Sequence, residues 1–239
     1  MRMVITDISL NRQREDIAAK SMKLMQASYR EVENSDSIAD SLFEAIHTDD
    51  VPSRRLIADT ADVLAKKDLD AVIAWLLRET DSVVIKKILI MAKDMLPWSI
   101  VKTIALLPCE DRVVTAILYH PDVDEEILLR FSTTKLPWDQ KVIAENPRTP
   151  ISALDTLIEA DTTFGIPSAV LTNPKVTIEY VLKWAGNGNE VCRVALLDEK
   201  QWLPELRNYM VEEYGPEVEY LPASWLSRVL GWEIDGPLF

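Results

Sequence analysis

The chain has 239 residues, of which 48 % are hydrophobic, 27 % are charged and only six are glycine. This composition excludes a disordered chain and argues against a fold with many tight β-turns, so it predicts an ordered, mainly helical protein. The net charge of −13 disfavours a duplex-DNA-binding role, because such proteins replace condensed counterions with Lys and Arg. The 26 basic residues still leave room for a local basic stripe.

The N-terminal part, residues 1–65, is predicted to form an irregular helical cap. Amphipathic patterns predict helices over 8–29, 37–47 and 53–65. The opening stretch lacks the apolar segment of a secretory signal, and no apolar run approaches the roughly 18 residues of a membrane span. We therefore expect a soluble protein of the cytoplasm.

From residue 66 to residue 206 the sequence repeats itself at a nearly constant interval. Six polar positions mark the repeat at spacings of 27, 27, 26, 27 and 25 residues, and they are Lys66, Lys93, His120, Asn146, Asn173 and Asp198. Self-similarity at such a period is typical of a helical solenoid. The pattern therefore predicts an all-α stack of short paired helices that extends over residues 66–206.

One copy of the repeat explains the residues it uses. A helix over 138–145 should stop near Asn146, because Pro147 disfavours the helical conformation of the residue before it. The next helix should start at Thr149 and Pro150, with the threonine hydroxyl as the N-cap and the proline at the first helical position. Each unit is then a short helix, a proline turn and a second helix.

Two further copies show the spacing of a capping box, in which an acidic N-cap precedes a Glu or Gln by three residues. These pairs are Asp122 with Glu125 and Asp198 with Gln201. The helix after Pro150 carries an apolar stripe on one face, formed by Ile151, Leu154, Leu157 and Ile158. One unit cannot bury such a face alone, whereas stacked neighbours can.

The copy VIAENPRTPISALDTLIEAD resembles the unit of the leucine-rich repeat variant family, a relative of HEAT-like repeats. The matching residues are Val142, Ala144, Asn146, Pro147, Thr149, Pro150, Leu154, Leu157 and Asp161. The specific match covers about 50 residues, and a looser match covers about 150. The resemblance implies a right-handed superhelix of paired helices and assigns no functional residue. The iron–sulfur cysteine cluster of one member type has no counterpart here.

The C-terminal part, residues 207–239, is predicted to form an acidic cap and tail with a short helix over 223–230. Residues 199–239 carry 3 basic and 8 acidic side chains, so this end either solubilises the stack or docks a basic partner. The seven tryptophans of the chain are either core residues or contact residues at an interface. The candidate partner-binding residues are Trp98, Trp138, Glu212, Glu213, Glu217, Glu219 and Trp232.

No catalytic or metal-binding constellation is apparent in the sequence. The two histidines, His47 and His120, lie in different regions, and His120 stands where other copies have Asn, so a helix-capping role is predicted. The run from His120 to Glu126 resembles a metal loop only in its acidic residues, because it lacks glycine. Cys109 and Cys192 lie 83 residues apart and are expected to be reduced core thiols. We expect no cofactor and no metal.

These observations favour a non-enzymatic helical-repeat protein that acts as an interaction scaffold or inhibitor for a protein partner, which the acidic balance suggests is basic. Two alternatives remain open: a HEAT-like nucleic-acid-binding or glycosylase-type DNA-repair protein, and a structural subunit of a larger assembly. The nucleic-acid alternative requires the central basic residues to converge on one face. They are Lys86, Lys87, Lys93, Lys102, Arg112, Arg130, Lys141, Arg148 and Lys175.

Overall fold

The computed structural model describes residues 2–27, 35–159, 165–196 and 203–214. Their regular structure is entirely helical, as the composition predicts, and no strand occurs among them. The chain divides into two compact units, unit 1 (Met1–Ile127) and unit 2 (Leu128–Phe239). This boundary falls inside the repeat region predicted over 66–206, and the three-part division of the chain remains a prediction. In the described ranges, no helix has the length and apolar character that crossing a membrane requires.

Short helices follow one another throughout unit 1, and α9 crosses into unit 2. They are α1 (Arg2–Ala27), α2 (Ser35–Ala45), α3 (Val51–Ile57), a 3₁₀ turn (Ala58–Thr60), α4 (Ala61–Lys67), α5 (Leu69–Arg78), α6 (Ser82–Met91), α7 (Trp98–Ala105), α8 (Asp111–Leu118) and α9 (Glu125–Phe131). The first two predicted helices therefore occur as α1 and α2. The third, predicted over 53–65, is wrong as one helix, because the 3₁₀ turn separates α3 from α4.

Unit 2 continues with helices of similar length. They are α10 (Pro137–Glu145), α11 (Ile151–Ile158), α12 (Ile166–Leu171), α13 (Ile178–Gly186), α14 (Glu190–Leu196) and α15 (Leu203–Tyr214). The helix predicted over 223–230 and the capping pair Asp198 and Gln201 lie outside the described residues.

Alternate helices contact one another within each unit. In unit 1, α4 packs against α6 and α6 against α8, while α5 contacts α4 and α7 contacts α8. In unit 2, α10 packs against α12 and α12 against α14, while α11 contacts α10 and α12 and α13 contacts α14. Each unit thus contains a row of even-numbered helices with odd-numbered helices packed beside it.

Three even-numbered helices, α8, α10 and α12, end where the polar-Pro markers predict. Helix α8 ends at Leu118, two residues before His120, and α10 ends at Glu145, directly before Asn146. Helix α12 ends at Leu171, two residues before Asn173. The predicted interpretation of these polar-Pro pairs as helix stops is therefore confirmed.

Two predicted helix starts are wrong in detail. Pro150 is itself the N-cap of α11, with φ −70° and ψ 151°, and the buried Thr149 hydroxyl donates instead to the Ile143 carbonyl in the last turn of α10. Helix α9 is capped by Asp124 rather than Asp122, because Asp124 Oδ1 accepts the Ile127 N–H at 3.1 Å. The backbone N–H of Asp122 is held by the His120 ring, which extends the turn before α9 begins.

The core of unit 2 is lined by the apolar stripe that the sequence predicts. Leu154, Leu157 and Ile158 on α11 are at most 1 % exposed, whereas Ile151 at the start of the helix is half-buried. Each fully buried Leu or Ile stabilises the fold by about 1.5–3 kcal/mol relative to an exposed one. Burial of this stripe is therefore the main reason that so short a helix is stable.

Candidate interaction surface

Trp98 belongs to a polar cluster rather than to an open surface. Its side chain is half-buried, its Nε1 donates to Asp124 Oδ2 at 3.0 Å, and its ring centroid lies 5.2 Å from that of His120. Lys102 Nζ donates to the same Asp124 oxygen at 2.7 Å. Burial alone raises the pKa of Asp124, but the Lys102 and Trp98 donors outweigh it and hold that pKa below its usual value. One carboxylate therefore fixes an indole and an ammonium group together.

The same arrangement occurs in unit 2. Trp184 is 2 % exposed, and its Nε1 donates to Asp155 Oδ1 at 2.7 Å. Lys183 Nζ lies 3.1 Å from the same oxygen, so α11 and α13 are joined by an indole, an ammonium group and one carboxylate. Of the two roles that the sequence leaves open for a tryptophan, Trp184 therefore has the core one.

A third such cluster surrounds Glu79, whose side chain is only 2 % exposed. Its carboxylate accepts Arg54 Nε at 2.9 Å, Trp75 Nε1 at 3.2 Å and the N–H groups of Thr80 and Asp81 at 2.9 and 3.0 Å. Burial alone raises the pKa of Glu79, but these donors outweigh it, so the net pKa is lowered. The carboxylate therefore links α3, α5 and the turn before α6.

Trp138 differs from these three tryptophans in its exposure. It lies in the first turn of α10 and is 62 % exposed, whereas its neighbour Asp139 is 1 % exposed. One turn further along α10, Lys141 and Glu145 form an ion pair at 3.7 Å. Tryptophan is enriched at interface hot spots, so this exposed indole is the candidate contact residue of unit 2.

The acidic candidates are placed only in part. Glu212 is exposed on α15, and the backbone of Glu213 lies in the last turn of the same helix. Glu217, Glu219 and Trp232 lie outside the described residues. Their predicted role in partner binding remains a prediction.

Several basic residues of the nucleic-acid alternative have acidic partners. Lys87 pairs with Asp59 at 2.7 Å, and Lys102 pairs with both Asp124 and Glu126. Arg112 and Lys141 likewise pair with Glu110 and Glu145. Charges that are already compensated within the chain contribute less to phosphate binding, because counterion release requires free cations.

His120 and Cys192 are buried within the fold, whereas Cys109 is only half-buried. His120 is 4 % exposed, its Nδ1 accepts the Asp122 N–H at 3.1 Å, and its Nε2 lies 3.0 Å from the Leu96 carbonyl. The ring therefore binds two connections between helices rather than the end of α8, where Tyr119 is the C-cap, and the predicted capping role is not confirmed. Cys192 is fully buried, and burial raises the pKa of its thiol to about 12. Cys109 is half-buried, so the expectation that it lies in the core is wrong. In the described part of the chain, no group of three or more His, Cys, Asp or Glu residues could hold a metal ion.

Sequence reasoning missed the carboxylates that accept hydrogen bonds from the Trp98 and Trp184 indoles. Asp124 lies 26 residues after Trp98, and Asp155 lies 29 residues before Trp184. Each separation is close to the length of one repeat. An acidic residue at that distance from a tryptophan is therefore the sequence signal that could have identified these carboxylates.

Comparison of the chain with protein-family models, with curated proteins and with solved structures gives no match.

Proposed function

We propose that the chain is a non-enzymatic α-solenoid that binds a protein partner, as a scaffold or as an inhibitor. The contacts between alternate helices support this architecture, since a solenoid packs each repeat only against its neighbours. Side-chain hydrogen bonds that span about one repeat support it further. They join His120 to Leu96, Asn173 to Asn146 and Trp184 to Asp155, over 24, 27 and 29 residues. We propose further that the helices form the right-handed superhelix that the sequence resemblance implies.

The observation that carries the proposed function is the 62 % exposure of Trp138. Tryptophan is the residue most enriched at interface hot spots, where its loss costs about 2 kcal/mol or more. In the described residues, three other indoles are bound to carboxylates inside their units, as Trp75, Trp98 and Trp184 are. Exposure thus distinguishes Trp138 from the other three tryptophans in the described part of the chain.

The partner that we propose is basic. A net charge of −13 attracts cationic surfaces and raises the rate of association with them. Such attraction is screened over about 10 Å at 0.1 M salt and about 3 Å at 1 M salt, so association should weaken steeply as salt increases. One such partner is a nucleic-acid-binding protein, whose basic surface this chain would cover as an inhibitor.

The test compares partner binding by the wild-type chain and by two variants, Trp138→Ala and Leu107→Ala, under the same conditions. Proteins captured from the source cell on the immobilised chain are identified, and the Kd of each purified partner is measured at low and high salt. Trp138→Ala should weaken the specific partner by about 30-fold, which corresponds to about 2 kcal/mol. Leu107→Ala is the matched control, because Leu107 is 58 % exposed but lies in unit 1.

Equal affinities of wild type and Trp138→Ala would refute the proposal that this indole is a contact residue. Binding that does not change with salt would refute the electrostatic part. Tight, salt-dependent binding of a labelled DNA duplex by the purified chain would favour the nucleic-acid alternative instead.

A further inference from the structure

Unit 2 contains an open cleft of about 550 Å³ between the end of α11 and the connection of α13 to α14. Its floor includes Ile158 and Trp184, which are 1 % and 2 % exposed. Asn189 closes one side, because its Nδ2 donates to the Ile158 carbonyl at 2.9 Å and its Oδ1 accepts the Cys192 N–H at 3.0 Å. The volume lies within the roughly 300–1,000 Å³ of ordinary ligand pockets.

Two glutamates of the cleft give it a negative rim. Glu159 and Glu190 both line the cleft, are exposed, and have no hydrogen-bonding or ion-pair partner among the described residues. Helices α11 and α13 also end at the cleft, and the C-terminus of a helix carries partial negative charge. The start of α14 and the bond from Arg193 Nε to the Ala185 carbonyl offset part of this charge. Within the described ranges, neither carboxylate has an ion-pair partner.

We propose that this cleft receives an arginine side chain of the partner protein, an inference that rests on the function proposed above. The apolar floor suits the methylene stem of arginine, and the two rim carboxylates suit its guanidinium group. Charge-assisted bonds of this kind are about twice as strong as neutral ones. The occupant is thus a cationic side chain on a protein surface.

The cleft and Trp138 belong to the same edge of unit 2. The connections over 146–150, 172–177 and 187–189 are short, and short connections make consecutive helices antiparallel. Asn173, just after α12, donates to the Ala144 and Asn146 carbonyls at the end of α10, so the C-terminal ends of α10 and α12 meet. Since α10 packs against α12 and α12 against α14, the N-terminal ends of these three helices then lie along one edge. Adjacent helix axes are about 8–10 Å apart, so Trp138 and the cleft are separated by about 20 Å. An interface of about 800 Å² per partner, which is on the order of 30 Å across, covers both.

The test uses the full-length chain labelled with ¹⁵N and a blocked arginine, N-acetyl-arginine methylamide, as the probe. The neutral control ligand is N-acetyl-citrulline methylamide, which has nearly the same shape. The indole N–H signal of Trp184, assigned by its loss in Trp184→Phe, reports on the cleft, and the signal of Trp138 is the internal reference. Arginine should shift the Trp184 signal saturably and citrulline should not.

The double variant Glu159→Gln and Glu190→Gln should bind the arginine probe at least about tenfold more weakly. The matched control is Glu145→Gln with Glu205→Gln, which removes the same charge from two exposed residues of unit 2 outside the cleft. Equal shifts with citrulline, or equal weakening in both double variants, would overturn the inference.

The experiments distinguish a wrong inference about the cleft from a wrong proposed function. If partner capture depends on Trp138 but neither capture nor the arginine probe depends on Glu159 and Glu190, the cleft is overturned and the function stands. If the arginine probe binds in the cleft but Trp138→Ala leaves partner affinity unchanged, the Trp138 interface is overturned and the cation site stands.

Discussion

Asn146 and Asn173 occupy the same marker position in consecutive copies of the repeat, but they form different numbers of hydrogen bonds. Asn173 is 3 % exposed, and its Nδ2 donates to the carbonyls of Ala144 and Asn146 at 2.7 and 2.8 Å. Its Oδ1 also accepts the Lys175 N–H at 3.0 Å. Asn146 accepts only the Arg148 N–H, at 2.8 Å, among the contacts of its side chain in the described residues. The two residues thus form a natural pair for mutagenesis.

The expected loss of stability follows from these counts. A net hydrogen bond contributes about 1 kcal/mol, so Asn173→Ala should cost about 3 kcal/mol and Asn146→Ala about 1 kcal/mol. Asn173→Asp should be at least as damaging as Asn173→Ala, because it turns an oxygen toward two carbonyls, whereas Asn146→Asp keeps the single acceptor that is used.

Urea unfolding followed by far-UV circular dichroism measures these differences, and hydrogen exchange of peptides from unit 2 assigns them to the right part of the chain. The four variants share one slope with denaturant if only the folded state is affected. Equal losses for Asn173→Ala and Asn146→Ala would refute the interpretation that Asn173 binds one copy of the repeat to the copy before it.

Two further predictions follow from groups that the fold buries. The pKa of Glu79 is lowered in the folded chain, so its carboxylate stabilises the fold fully above about pH 5 and loses this contribution as the pH falls below about 4 toward the folded-state value. Unfolding free energies between pH 3 and pH 6 should therefore fall less steeply in Glu79→Gln than in the wild type; equal slopes would contradict the assignment. Because burial raises the pKa of Cys192 to about 12, iodoacetamide at pH 8 should modify Cys109 first and Cys192 only on unfolding, as mass spectrometry of the labelled peptides will show. Rapid labelling of Cys192 in the native chain would contradict its burial.

The local parts of the fold could be predicted from the sequence because their signals are local. A proline after Asn146 stops α10, and the apolar stripe of α11 identifies its buried face, so both were predicted. The break between α3 and α4 is not predicted, because the apolar pattern of the sequence continues through it. In the structure, the Thr60 hydroxyl donates to the Ile57 carbonyl at 2.7 Å at this break. A local pattern does not distinguish a 3₁₀ turn from a full helical turn.

The contacts between copies could not be predicted, because they depend on how one helix pair is placed against the next. His120 illustrates this: its place among the asparagine markers predicts a helix cap, but its bond to Leu96 in the preceding copy depends on the packing of neighbouring copies. In the same way, the acidic residues Asp124 and Asp155 look like ordinary solvated charges in the sequence. The structure places each beside an indole and an ammonium group.

This placement changes how the tryptophans bear on function. Trp98 and Trp138 are both candidate contact residues, and both follow Leu-Pro in the sequence. Trp98 lies at the start of α7, where it contacts Asp124 and His120. Trp138 lies in the first turn of α10 in unit 2 and is 62 % exposed. The two tryptophans share a motif but not an environment. A Trp98→Phe substitution should therefore lower the free energy of unfolding and leave partner affinity unchanged. Trp138→Ala should lower partner affinity and leave the free energy of unfolding unchanged. A variant of Trp98 that folds normally but loses the partner would place the interface on unit 1 instead.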